Sequence, residues 1–357
     1  EPGAAGAAGR ATPRRAMDEA LIKPQKVRRV VRIQAPDDPA AEADVSAQGT
    51  LVEVADPRQL RPRDFRTDFV YRPGSASEDL ALCELPPLLE GVLGGTDATL
   101  LVGGTSGGEQ AELMDGAGGL HARAIGQLAV ELQARQARHR AGGAGGYSFY
   151  VRLQAFQVVG DRIEDLLTDH PEPTRLSDTP MGVVVEGLKS VSVAVAEEAA
   201  RTLEMARRRQ DPAQRPRAVT AVSVEVTQAD YFAGWGLFGR LLLVETPDMD
   251  CLAEDRGLVQ LREGFDTFRG VFHLRSLVHT WQSRRPGDVN GAVLTWLLRD
   301  VLAGGSCTAT VLLCLRQAQP AVSTALMEFM DDLGKVETNP VCCDHRVAGL
   351  LRALRAE

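Results

Sequence analysis

The sequence predicts an α/β domain built in layers, on three observations. Apolar runs of strand length alternate with longer segments that repeat their apolar residues at helical spacing. One run, "ATLLVGG" at 98–104, is continuously apolar, as suits a central strand covered on both faces. A glycine-rich turn, "GGTSGG" at 103–108, follows it and leads toward a helix. The chain has 357 residues, 44% of them hydrophobic, which is enough to bury a core of that size.

The elements follow in order. Residues 1–16 are rich in Gly, Ala and Pro with scattered arginines and no apolar period, so a flexible tail is expected over 1–20. "KVRRVVRIQA" alternates basic and apolar residues and predicts a first strand; "GTLVEVA" predicts a second. "SASEDLALCELPPLLEGVL" opens with Ser and acidic residues, keeps apolar positions at helical spacing and stops at Gly94-Gly95, the outline of a helix. After the central strand and its turn, "GGLHARAIGQLAVELQARQARHR" predicts another helix, closed by "AGGAGG". Further strands are expected at "YSFYVRLQAFQVV", "GVVVEGL", "AVTAVSVEVT", "GRLLLVE" and "TATVLLCL", and helices at 194–209, 257–282, 291–302 and 319–334. "TDHPEPTRLSDTP", "RRRQDPAQRPR" and "ETPDMDCLAEDRG" have the Pro, Asp and Arg content of surface loops.

Composition excludes several function classes. With 40 basic and 48 acidic residues the net charge is −8, which gives no global attraction to nucleic acid or an anionic membrane, so neither is expected as a partner. The longest apolar runs fall far short of the ~20 residues a membrane span needs. The six cysteines form no CxxC pair, which suits a reducing compartment. Cys342, Cys343 and His345 lack the two-residue gap of a zinc site, and Glu245, Asp248, Asp250 and Asp255 lack calcium-loop spacing. No metal is expected.

Chemistry concentrates in the glycine loop. From Gly103 to Gly108 its spacing fits the phosphate-binding pattern G-x-x-x-x-G-K-S/T, and Gly103, Gly104, Thr105, Ser106, Gly107 and Gly108 would keep a cradle of backbone amides available. Glu109 and Gln110 stand where the lysine and the magnesium-holding hydroxyl belong. Near a polyphosphate, that exchange turns an attraction of about 1 kcal/mol at ~4 Å in water, or about 4 at an effective dielectric of 20, into repulsion.

Six strings in one order resemble the kinesin motor domain, from about Val27 to Pro340. They are "FVYRPGSASEDLALCELPPLLEGVLGGTDATLLVGGTSGG", "GGLHARAIGQL", "FYVRLQAFQVVGDRIEDLL", "MGVVVEGLKSVSVAVAEEA", "LTWLLRDVLAGGSCTATVLLCL" and "STALMEFMDDLGKVETNP". The resemblance implies a P-loop fold, with a mixed, mostly parallel central sheet and helices on both faces. It divides the chain into the tail, a motor-like domain over 21–337 and a neck-like helical extension over 338–357. Val347, Leu350, Leu351 and Leu354 lie at helical spacing in that extension, where a coiled coil and a dimer could begin.

The resemblance also implies ATP hydrolysis driven by two switch loops, and here this chain departs from the family. The first switch aligns with "QDPAQRPR", where Arg215 stands in for the family's arginine without its serines. The second aligns with "ETPDMD": Glu245 keeps a carboxylate, Asp248 replaces a glycine and Asp250 shortens a glutamate. The adenine-side motif keeps Arg32 but continues with Gln34 and Ala35. Catalytic residues and a firmly bound cofactor are therefore not expected, with Mg-ATP or ADP binding weak at most; Gly103 to Gln110, Arg215, Glu245, Asp248 and Asp250 are vestiges. The expected role is a pseudo-motor, a scaffold or docking module for protein partners in a cytoplasmic, cytoskeletal setting. The alternatives are a divergent ATP-dependent microtubule motor and a non-cytoskeletal interaction domain. Microtubule contact is weakened because Asn290, Gly291, Ala292 and Val293 replace the family's Arg, Ser and Lys region, although Arg284 and Arg285 remain nearby. Arg207 to Arg209, with Arg215 and Arg217, make a second basic cluster able to meet an acidic surface.

Overall fold

The structure, a computed structural model, describes residues 24–35, 44–55, 61–105, 109–115, 118–142, 146–179, 182–212, 218–249, 274, 278 and 292–345. The chain enters through β1 (Gln25–Lys26) and β2 (Arg28–Ile33). A small antiparallel sheet of β3 (Val45–Gln48), β4 (Leu51–Val54) and β5 (Arg63–Arg66) follows, then β6 (Phe69–Tyr71) and helix α1 (Ser77–Leu93). The central strand β7 (Asp97–Gly104) leads through the glycine loop to a short α2 (Gln110–Met114) and a long α3 (Leu120–Ala141).

Then come β8 (Tyr147–Val159), β9 (Arg162–Asp165), β10 (Arg175–Thr179), β11 (Gly182–Glu186), β12 (Val191–Ser192), α4 (Ala196–Arg209), β13 (Val219–Asp230) and β14 (Trp235–Glu245). The last part carries α5 (Val293–Leu297), α6 (Arg299–Leu302), β15 (Thr308–Leu315), α7 (Pro320–Leu333), β16 (Glu337–Thr338) and β17 (Cys343–Asp344).

The main sheet has the order β12-β8-β13-β14-β7-β15-β2-β6. It is parallel from β14 to β6 and antiparallel from β12 to β14, so the expected mixed α/β sheet is present. Every residue of β7 from Ala98 to Gly104 is buried, because alternate side chains feed two cores. Leu100 and Val102 pack with Leu85, Leu88 and Val92 of α1, Leu128 of α3 and Ala199 of α4. Leu101 faces the other way, with Leu313 of β15 and with Leu326, Phe329 and Met330 of α7. Fully burying such a side chain contributes about 1.5–3 kcal/mol, which makes this strand the anchor of the domain.

Several expectations need refinement. "TDHPEPTRLSDTP" is not only a loop: its residues 175–179 form β10, which pairs with β11 from Arg175↔Glu186 to Thr179↔Gly182. The one apolar residue of β10, Leu176, lies opposite Val185, and both pack on the core; polar neighbours hide this alternation in the sequence. Arg207 to Arg209 form the last turn of α4 rather than a loop, a favourable place for cations at the negative end of a helix. The helix expected at 291–302 is broken at Leu298 into α5 and α6. Most of the helix expected at 257–282 lies outside the described residues, but Leu274 and Val278 are helical and fully buried.

The end of the described chain returns to the sheet. β16 pairs with β1, and β17 pairs with β14 through Phe238↔Cys343 and Leu237↔Asp344. The Cys343 amide also donates to the Gly95 carbonyl at 2.7 Å, and Cys342 Sγ lies 3.2 Å from the Gly94 carbonyl oxygen. The helically spaced residues Val347 to Leu354 lie outside the described residues.

Candidate nucleotide cleft

The site is assembled where β7, β15, β2 and β14 end side by side. Gly103 and Gly104 close β7 under crowded conditions. A Cβ on Gly104 would lie 2.2 Å from the backbone oxygen of Cys314, and one on Gly103 would meet Met249 Sδ at 2.5 Å and Thr246 Oγ1 at 2.6 Å. Close packing of the sheet is thus sufficient reason for glycine at both positions. Thr105 is fully buried; its amide donates to Cys314 and its hydroxyl accepts the Arg316 amide at 3.0 Å. Burial pushes the Cys314 thiol up to about 12, so beneath the loop it is neutral and no nucleophile. Ser106, Gly107 and Gly108 lie outside the described residues.

Glu109 opens α2 in a left-handed conformation, φ 40° and ψ 11°, which an L-residue with a long side chain rarely adopts. Its carboxylate lies 3.3 Å from the Arg32 guanidinium, brought in from the end of β2. Gln110 is buried, and its side-chain amide donates to Asp248 Oδ1 at 3.1 Å. The five-residue α2 offers little macrodipole to an anion, since that field needs aligned peptides over several turns.

The segment after β14 runs along the glycine loop. Glu245 lies opposite Val102, the Thr246 amide donates to the Val102 carbonyl at 2.9 Å, and the Met249 amide donates to the Gly104 carbonyl at 2.8 Å. Met249 is 1% exposed and covers Gly103. Two polar atoms in the cleft are buried without a hydrogen-bond partner, Gln34 Nε2 and Gln110 Oε1. Each is a cost of about 1–3 kcal/mol that a neighbouring group or a water would have to relieve.

The structure therefore brings together Arg32, Glu109, Gln110, Asp248 and the glycines, with Glu245 at the edge. Arg215 and Asp250 lie outside the described residues, as do Asp255, Arg217, Arg284, Arg285, Asn290 and Gly291. Met249 was not anticipated; its only sequence signal is an apolar residue inside an otherwise acidic loop. Among the described residues no three His, Cys, Asp or Glu side chains gather as a metal site, and no helix is long and apolar enough to cross a membrane. The arginines ending α4 are engaged by acids: Arg209 with Asp169 at 2.9 Å, Arg208 with Glu204 at 3.2 Å and Arg207 with Asp115 at 3.9 Å. Ala292 is buried, and the Val293 amide approaches Asp161 Oδ1 at 3.4 Å.

A parallel sheet core with a glycine loop at the carboxyl end of its central strand, flanked by helices on both faces, defines a P-loop-type α/β domain. The chain belongs to the kinesin motor domain family, whose description matches residues 23–329. It is similar to the mouse protein "Chromosome-associated kinesin KIF4", 24% identical over 302 residues, covering 78% of this chain and 24% of that one. It is likewise similar to human "Chromosome-associated kinesin KIF4A", 23% identical over 307 residues with the same coverage. The chain thus spans about a quarter of the length of these relatives. A solved kinesin, described as "Structure of a fast kinesin: Implications for ATPase mechanism and interactions with microtubules", superposes with a TM-score of 0.75 at 16% identity, over 88% of this chain and 92% of that one. At that identity the likeness concerns the fold.

Proposed function

We propose that this kinesin motor domain is a pseudo-motor, a docking or scaffold module in a microtubule-associated, cytoplasmic setting whose ATP hydrolysis has been lost. One observation carries the proposal: the two side chains at the phosphate and magnesium positions are engaged by the chain's own groups, Glu109 with Arg32 and Gln110 with Asp248. A triphosphate entering here would meet the carboxylates of Glu109 and Asp248 where it needs a cation, and an amide committed to Asp248 where magnesium needs a hydroxyl. The residues present fit Mg-ATP poorly, and no catalytic step is assigned to them. The microtubule setting rests on the family and on the relatives' names; the engaged arginines of α4 supply little free positive charge toward an acidic surface.

Calorimetric titration with Mg-ATP and ADP, and ATPase assays with and without microtubules, test the proposal. The expected result is no binding at micromolar nucleotide and no stimulated turnover. Micromolar binding with microtubule-stimulated hydrolysis would establish the rival, a divergent ATP-driven motor. Failure to bind microtubules as well would favour a non-cytoskeletal interaction domain. Exchanging Glu109→Lys together with Gln110→Thr is expected to tighten ADP binding about tenfold or more, since 1.4 kcal/mol is tenfold and the swap exchanges a repulsion for an attraction.

A further inference from the structure

A groove unrelated to the cleft runs along the molecule between α1 and α3 to the β13–β14 hairpin. It consists of two connected hollows of about 740 and 720 Å³, which share Glu131 and Arg135 in their walls. The first is walled by Leu89 and Leu93 of α1 and by Val130 of α3, which is 65% exposed despite its aliphatic side chain. The second is walled by Tyr147 and Trp235, whose ring centroids are 6.0 Å apart, with His139 stacked on Tyr147 at 4.8 Å.

The described chain ends at the mouth of this groove. Cys342 touches Gly94, which caps α1, and β17 runs antiparallel to β14 toward Trp235. His345 Cβ lies 3.7 Å from where a side chain on Gly236 would begin, so the next residue starts beside Trp235. From there the sequence continues "RVAGLLRALRAE", with Val347, Leu350, Leu351 and Leu354 at spacings of three, four and seven, one face of a helix. A helix of this length is marginal alone in water, and Gly349 weakens it further, so its apolar face needs a surface. A coiled coil with a second chain would need three or more heptads, which these residues do not supply. The groove is also tethered within a few residues, which gives it an effective concentration of order mM over any free partner. The lengths agree: nine residues from His345 to Leu354 rise about 13.5 Å as a helix, and so do the nine from His139 back to Val130 along α3.

We propose that residues 346–357 dock in this groove as a helix of the same chain, with Val347, Leu350, Leu351 and Leu354 against Trp235, Tyr147, Leu93 and Val130. The neck-like extension is then an internal strap across α1 and α3. The test places the photo-crosslinker p-benzoylphenylalanine at Val130 in the 357-residue chain, where the site's exposure spares the fold. Irradiation of a mixture of isotope-labelled and unlabelled chains, followed by mass mapping, distinguishes contacts within a chain from contacts between chains. The expected product joins position 130 to the 347–354 peptide of the same chain, and Leu350→Asp with Leu351→Asp reduces its yield at least tenfold without lowering the melting temperature of the domain. Absence of that product, or a product formed only between labelled and unlabelled chains, would overturn the proposal.

Discussion

The two ends of the central strand make opposite use of charge. At its carboxyl end, Arg32 and Glu109 form a partly exposed pair, Gln110 is tied to Asp248, and two buried amide atoms lack partners. At its amino end, Asp97 and Arg240 are both buried, 2.6 Å apart, and the same guanidinium donates to the Val183 carbonyl at 2.6 Å. Asp300 donates nothing but accepts the Val183 amide at 3.2 Å, and Arg299 joins Asp300 to Asp178 on β10. That network ties the β10–β11 hairpin to the sheet. The contrast separates architecture from chemistry: the amino end is a satisfied network that holds the fold, while the carboxyl end keeps the outline of a ligand site whose polar groups bind one another.

If the amino end is structural, breaking it has the largest consequence. Arg240→Met leaves the Asp97 carboxylate buried without its cation, a change worth about 3–5 kcal/mol, and thermal unfolding is expected to drop by about 10 °C. Burial already holds the Asp97 pKa above the ordinary carboxylate value against the pull of Arg240. In the variant the folded protein takes up a proton more readily still, so its deficit shrinks as pH falls. Urea denaturation at pH 7 and pH 5 checks both parts, and a deficit under about 1 kcal/mol would mean that this network is not what anchors the hairpin.

The second prediction asks whether the glycines at the carboxyl end serve packing. Gly104→Ala drives a Cβ into the Cys314 backbone and is expected to cost about 1–3 kcal/mol of stability, although no ligand is involved. Gly103→Ala meets the flexible end of Met249 and should cost less, with Met249→Ala restoring most of the loss. Equal and negligible costs at both glycines would break the comparison, because the loop would then be free of the sheet.

How much of this was legible in the sequence depended on the length over which a pattern repeats. β7, β8 and β15 emerge at nearly their observed bounds, since thirteen residues of alternation or eight continuous apolar residues leave little ambiguity. β1, β16 and β17 are two residues each, too short for any period, and exist only because other strands offer an edge. In the cleft, spacing alone located Glu109 and Gln110 and gave the sign of their charge effect. Their partners were hidden: Asp248 is 138 residues from Gln110, and nothing local marks either side chain for the other. Met249 was overlooked among acidic neighbours because burial belongs to the folded state.

The smallest effect is expected at the rim of the structural end. Asp178 pairs with Arg299, but it is 56% exposed, so the pair is screened and worth less than about 1 kcal/mol. The Arg299 guanidinium holds the Asp178 carboxyl below its ordinary value by hydrogen bonding first and charge second. A depressed folded pKa means that the contribution is present above the unfolded value, near 4, and is lost as pH falls through the lower folded one. Asp178→Asn should therefore lower stability by a few tenths of a kcal/mol at pH 7 and by nothing at pH 2, and 1 M salt should erase most of the difference at pH 7. A loss at pH 7 as large as that of Arg240→Met would show that the hairpin is held from its exposed rim, and the distinction between a buried anchor and a solvated edge would fail.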